Sequence, residues 1–290
     1  MKDDRGQGSN WGRSKRVRRP LGVTKILVLT LLAIVFLIPI IWMSLTSLKA
    51  PNEVFENPLG LLPRSFSFIE NVKEVLTRAP FGHYYVNTVI ITGGLAIIQL
   101  SLSIPAAYAF GCLQFKGRDV LFLIFLTRFL IVPAAVFLPN YLTVSQLHLV
   151  DTRLGVMLPY FASAMAVFLL RQAFRQIPRE LIDAAKVDGA SNLRFLWCIG
   201  VPLIKPAIFA FVIISLVYHW NEFFWPFLVG QTVHARTLSV GLGRLGLQSQ
   251  SGAEWVLTMT ASIIVSLPIM VAFVFFQRQF VRSFMRTGLK

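Results

Sequence analysis

The residue types that usually carry covalent chemistry are present here without the spacing that chemistry needs. His83, His148, His219 and His234 are scattered, with no pair at metal-ligand separation, and no G-x-S-x-G or related nucleophile motif occurs. Cys112 and Cys198 are too few to staple 290 residues. A G-x-x-x-x-G-K-[ST] loop for cradling phosphates is missing, so any nucleotide the protein uses is bound by another polypeptide. Neither a cofactor nor a metal is expected. Two features remain. One is the polar segment around Glu180, Asp183, Ala184, Ala185, Asp188 and Gly189, whose spacing suits a short docking helix. The other is Arg128, a single charge inside a long apolar run, where an ionised group is costly and functional by default.

The elements that hold these residues follow from composition. Hydrophobic residues make up 55% of the chain and charged residues only 14%, against about 25% charged in a soluble domain. With a mean hydropathy of +0.66, this excludes a soluble globular protein and a disordered chain alike. The expected class is an all-α membrane protein. A helix needs about 20 apolar residues to cross the bilayer core. Six windows meet that test: 26–45, 86–113, 120–142, 154–170, 206–229 and 255–276. Pro133, Pro139 and Pro268 lie within spans, which predicts kinks packed against other helices. The first span follows basic residues, but its apolar core is too long for a cleaved signal, and it is read as a retained helix.

The formal charge of +15 records topology rather than nucleic acid, because apolar runs separate the basic clusters. Counting Lys and Arg by side gives 20 against 7, with Arg128 left over inside the third span. The richer side is cytoplasmic, which places both termini there. The expected organisation is a basic tail over 1–25, a six-helix domain over 26–280, a cytoplasmic loop over 171–205 and a tail over 281–290. Outside, the run Phe68, Val72, Val75 and Leu76 has helical spacing beside Glu70, Lys73 and Glu74. It reads as a short amphipathic helix, either a structural flap or a contact surface for an external partner.

The loop 171–205 is too long for a turn and too patterned for a linker. Pro178 suits a first helical turn, and Glu180 and Asp183 place negative charge near that N-terminus. Ala184 and Ala185 keep the helix surface low for close approach. Gly189 ends the helix. Ser191 is an N-cap for a second helix through Phe195, Leu196 and Ile199, expected to end before Pro202. Phe195, Leu196 and Trp197 are too apolar to face water uncovered. Asp183 is placed to pair with Arg179 and with Lys186.

These residues resemble the cytoplasmic signature of the transmembrane subunits of binding-protein-dependent ABC importers: E-A-A, three residues, G, then a late L-P. Here it reads Glu180-Leu181-Ile182-Asp183-Ala184-Ala185-Lys186-Val187-Asp188-Gly189, closing at Val201-Pro202, with Asp183 in place of the glutamate and Val201 in place of the leucine before the proline. Trp220-Asn221-Glu222-Phe223-Phe224-Trp225-Pro226, Arg236 to Leu242, Leu267-Pro268 and Gln277 to Val281 resemble the carbohydrate importers, on the side of the smaller maltose permease subunit. The likeness runs from Ile26 onward, and the last nine residues depart from it.

The resemblance implies a permease subunit in the cell inner membrane. It would pair with a second permease subunit, rest on two ATP-binding cassette subunits and receive a sugar from an extracytoplasmic solute-binding protein. It further implies that Glu180, Asp183, Ala184, Ala185, Asp188, Gly189 and Pro202 couple the chain to the ATPase. Arg128 is a candidate for contact with an anionic substrate, the alternative being snorkelling to inner headgroups. Asn87, Asn140 and Tyr141 could bond sugar hydroxyls or simply pack helices. Trp220, Asn221 and Glu222, with Trp225, fall about 21–29 Å along the fifth span, where an interfacial belt, a gate or a binding-protein contact would each fit. Two other readings are an importer of sugar phosphate, polyamine or another solute, and an ion-coupled transporter. The last would place acidic or histidine residues at mid-membrane, and this chain has none expected there.

Overall fold

A computed structural model of the chain describes residues 23–56, 60, 62–247 and 252–287. The expected tail over 1–25 thus lies almost wholly outside the described residues, as do the last three positions. Helices account for all regular structure among the described residues. Residues 1–42 and 43–290 form two compact units. In the first, the described helix is apolar, with all of its residues from 24 to 42 exposed.

The helices are α1 (Val23–Leu48), α2 (Phe68–Arg78) and α3 (Phe81–Cys112). Then come α4 (Arg118–Leu130), α5 (Pro133–Gln146), α6 (Arg153–Tyr160) and α7 (Ala164–Phe174). On the coupling side lie α8 (Arg179–Val187) and α9 (Asn192–Leu203), and α10 (Lys205–Asn221), α11 (Phe224–Val229), α12 (Leu238–Leu247) and α13 (Gly252–Thr287) follow. Three are unbroken and long enough to span, in α1, α3 and α13. The other expected spans are bent. α4 and α5 meet at 99°, α6 and α7 at 48°, and α9 turns into α10 at 75°.

The first two bends have a local cause. Ile131 and Val132 are extended, as the residue before a proline is driven to be, and Pro133 then opens α5. The third span is therefore two arms, where a single kinked helix over 120–142 was expected. Pro139 and Pro268 stay inside their helices. Ser163 caps α7 by accepting from the Ala166 N–H, so the chain between α6 and α7 is a defined break inside the expected 154–170 span. The fifth span ends at Asn221 instead of Val229, because Glu222 is extended and residues 224–229 form the separate helix α11.

The second unit has three packed layers. At the coupling end, Ile104, Tyr108, Leu170, Phe174, Phe195 and Leu196 form one core. A middle core joins Ile91, Leu95, Val144 and Val156 to Trp225 and Val229 of α11. At the other end, Val75 of α2 packs with Phe81, Tyr84, Trp220, Leu238 and Leu257. The amphipathic helix expected near Phe68 is α2. Its Val75 is buried, and Asn71 donates to the carbonyls of Ser47 and Lys49 at 2.9 Å each. That anchoring favours the flap.

Candidate coupling hairpin and solute pathway

The hairpin of α8 and α9 is built on one aromatic residue. Phe174, fully buried at the end of α7, meets Tyr108 of α3 edge to face at 5.7 Å. Tyr108 in turn lies 5.9 Å from Phe195, and its hydroxyl is 3.4 Å from the Asn192 side-chain oxygen. Gly200 lets α9 come this close, since a Cβ there would sit 3.1 Å from the Phe174 ring. Spans two and four thus hold the hairpin as a rigid extension.

Within it, α8 starts at Arg179, one residue later than expected, with Pro178 as the extended cap. Its end is a Schellman motif. Ala190 N donates to Ala185 O at 2.9 Å, Gly189 N to Lys186 O at 3.0 Å, and Gly189 has φ +76°. Asp188 occupies the C-cap and donates its N–H to Ala184 O. Glu180, Asp183 and Ala184 are exposed, and Val187 is 87% exposed. Ala185 is buried against the chain's own core. Its small side chain therefore lets α8 seat on its own spans, and Ala184 supplies the low outer surface. Lys186 Nζ lies 3.7 Å from Asp183, whereas Arg179 lines a polar cleft with Gln114, Arg118 and Asp119 instead of pairing with Asp183.

Ser191 caps α9 by accepting from Arg194 N at 3.3 Å. The helix does not stop before Pro202. A wide π turn over Leu196–Gly200 precedes the proline, which sits in the following turn. Such a turn shifts the backbone bonding and accommodates a residue with no N–H to donate. Phe195 and Leu196 are buried as required, while Trp197 is 51% and Leu193 68% exposed. Val187, at the C-terminal end of α8, is exposed as well.

The pathway candidates divide. Asn87 is buried, donates to Val233 O at 2.8 Å and Arg236 O at 2.9 Å, and accepts from Arg153 Nε at 2.8 Å. It ties α3 to the loop before α12. Trp220 and Trp225 are buried too, each indole N–H satisfied by another helix, at Val265 O (3.1 Å) and Val156 O (3.0 Å). They are packing residues, not an interfacial belt. Asn140 and Tyr141 are half-buried on α5, Tyr141 against the middle core. Asn221 is exposed and donates to Val217 O, and Glu222 is half-buried at the α10–α11 break. Arg128 is exposed in the last turn of α4, its guanidinium 3.4 Å from Ile131 O, beside the 99° bend.

Two residue sets were not singled out from the sequence. Arg171 is buried at the end of α7. It donates Nε to Phe110 O at 3.1 Å, lies 3.9 Å over the Phe122 ring and reaches Asp119 at 3.5 Å. In sequence it reads only as one more charge in the Lys and Arg tally. The second is the buried group Gln99, Ser215 and His219. Gln99 Oε1 accepts from Ser215 Oγ at 2.7 Å, and Gln99 Nε2 bonds Tyr160 O at 2.8 Å and His219 Nε2 at 3.1 Å. Polar residues four apart on α10, facing a Gln on α3, were the available signal.

Residues 99–286 match the family described as the binding-protein-dependent transport system inner membrane component. The chain is 32% identical over 272 residues to the sn-glycerol-3-phosphate transport system permease protein UgpE of Yersinia pestis bv. Antiqua (strain Antiqua), covering 92% of this chain and 96% of that one. The UgpE protein of Salmonella typhimurium (strain LT2) is likewise 32% identical, over 273 residues, with the same coverage of each chain. In fold, the chain is similar to one in the crystal structure of a bacterial ABC transporter involved in the import of the acidic polysaccharide alginate. The TM-score is 0.79 at 24% identity, over 92% of this chain and 98% of that one. A second alginate transporter structure, in complex with an alginate pentasaccharide-bound periplasmic protein, gives 0.62 at 18% identity, over 86% and 91%. The apolar spans, the hairpin of α8 and α9 and these likenesses together make the chain a member of the binding-protein-dependent inner-membrane transport component family, the permeases of ABC importers.

Proposed function

We propose that this chain is one of two permease subunits of an ATP-driven importer that takes carbohydrate from an extracytoplasmic solute-binding protein, with both of its termini in the cytoplasm. The observation that carries this reading is the hairpin of α8 and α9. An acidic helix start, a low surface at Ala184 and exposed Val187, Leu193 and Trp197 sit on a rigid base around Phe174. Such a surface suits a soluble partner, and the chain has no phosphate loop of its own. In the proposed cycle, nucleotide-driven closure of two ATP-binding subunits pushes α8. The push passes through Phe174 into α3 and α7, and the bundle rocks to expose the pathway to alternate sides.

A specific observation supports an anionic carbohydrate as the solute. Arg128 is exposed where α4 breaks, and at about 1.5 Å per residue it lies about 15 Å from the start of that helix, near mid-bilayer. A sugar phosphate or an acidic saccharide would pair with it, and the relatives' names point the same way. Co-purification of the tagged chain from native membranes, with partners identified by mass spectrometry and ATP hydrolysis assayed with candidate binding proteins and solutes, tests the reading. Recovery of a second permease and an ATPase, with hydrolysis stimulated by one liganded binding protein, is expected. Ion-driven transport by the chain alone, without ATP, would overturn it.

A further inference from the structure

The polar group buried between α3 and α10 does more than join two helices. Gln99 has two amide hydrogens, and they are directed at Tyr160 O and His219 Nε2, while its oxygen takes the Ser215 hydroxyl. His219 Nε2 is therefore the acceptor, and the ring carries its proton on Nδ1, an assignment made from the bonding pattern. With its hydrogen bonds made on every side, Gln99 fixes the imidazole plane. Two tyrosine rings flank that plane edge to face. Tyr160 lies 4.9 Å from His219 between centroids, and Tyr218 lies 5.0 Å away.

The row ends in the open. Tyr160 is half-buried, but Tyr218 is 51% exposed on a helix that otherwise reads as a span. Asn221 and Glu222 lie one turn further on the same face, three and four residues along. A face carrying a phenol, an amide and a carboxylate is expensive against lipid. Below it, Ala207, Ala210 and Ile214 continue the same stripe of α10 at spacings of three and four. They line a crevice of about 580 Å³ against Gln172 and Gln176 on the α7 side. The crevice ends at Ile214, one helical turn before Tyr218 on the same stripe.

Resting on the permease reading above, we infer that this stripe of α10 is the solute-contacting wall of the pathway, with Tyr218 as its binding platform for a polyhydroxylated, anionic solute. The ring offers an apolar face to the C–H side of a sugar, Glu222 accepts from its hydroxyls, and Arg128 takes the anionic group. Gln99 and Ser215 position this wall and do not touch the solute. Arg128, Asn221 and Glu222 stand out in the sequence, whereas Tyr218 and Tyr160 join them only once α3, α6 and α10 are assembled.

The test uses the complete importer in vesicles, with Cys112 and Cys198 replaced and single cysteines placed at Tyr218→Cys or Leu216→Cys. Leu216 is at the same depth, about 160° round the helix. A charged methanethiosulfonate, which reacts with thiols in water, should label Tyr218→Cys at least tenfold faster than Leu216→Cys. Equal or absent labelling would overturn the inference whatever the solute proves to be. In parallel, ATP-driven uptake of sn-glycerol 3-phosphate and of maltose is measured for Tyr218→Ala, Glu222→Gln and Arg128→Gln. A rise in KM of tenfold or more for the imported solute is expected, with the Arg128 effect confined to the phosphate; unchanged KM in all three overturns the binding role. Failure of the wild-type complex to accumulate either solute with ATP counts against the permease reading, and the labelling then still decides whether the face meets water.

Discussion

Gly189 and Asn87 show how single residues set this structure. Gly189 closes α8 at φ +76° with open space around it, so a Cβ there meets no neighbour and the cost is purely backbone strain, about 1–2 kcal/mol. Gly189→Ala is therefore expected to leave the spans intact and to loosen the α8–α9 corner. ATP hydrolysis by the complex should persist while uptake per ATP falls, which paired hydrolysis and uptake assays would read. Asn87 makes the opposite case. Its replacement by Ala strands the Arg153 side chain and two carbonyls that now share its amide, each at a cost of about 1–3 kcal/mol if left unbonded. A lowered melting temperature in detergent is the expected result. A raised KM for uptake with unchanged melting would instead make Asn87 a solute contact.

Among the elements, α7 and α8 form the mechanical core of the account. Phe174 joins them to α3 and α9, and Phe174→Ala should destabilise the chain by about 3–5 kcal/mol, the usual cost of emptying a large buried aromatic site. Thermal unfolding would show it. The hairpin was legible in sequence because its signals are local: a glycine that must be left-handed, a serine cap and an acidic first turn. The broken spans were not. Hydropathy windows register apolar length, and 120–142 or 206–229 is apolar whether or not Val132 or Glu222 is extended. The inward turn of Ala185 was equally invisible, since an alanine pair has no polarity to show which member faces the core. Trp220 and Trp225 look like belt residues until the carbonyls of Val265 and Val156 are seen to take their N–H groups.

For the whole molecule, the 20 to 7 division of Lys and Arg predicts that the α8–α9 side faces the cytoplasm. Cys198 is exposed on that side, so a membrane-impermeant thiol reagent should label it in inside-out vesicles and not in intact cells. Labelling from outside would invert the topology. The central claim is that α8 is the surface on which the ATPase acts, and cross-linking tests it most directly. A single cysteine at Val187, the most exposed apolar position of α8, is placed in the assembled importer and treated with a short bifunctional thiol reagent against cysteines introduced over the ATPase surface. A cross-link to the ATP-binding subunit that abolishes uptake and is reversed by reduction is expected. A complex that imports solute with ATP while Val187→Cys joins no site on that subunit would contradict it.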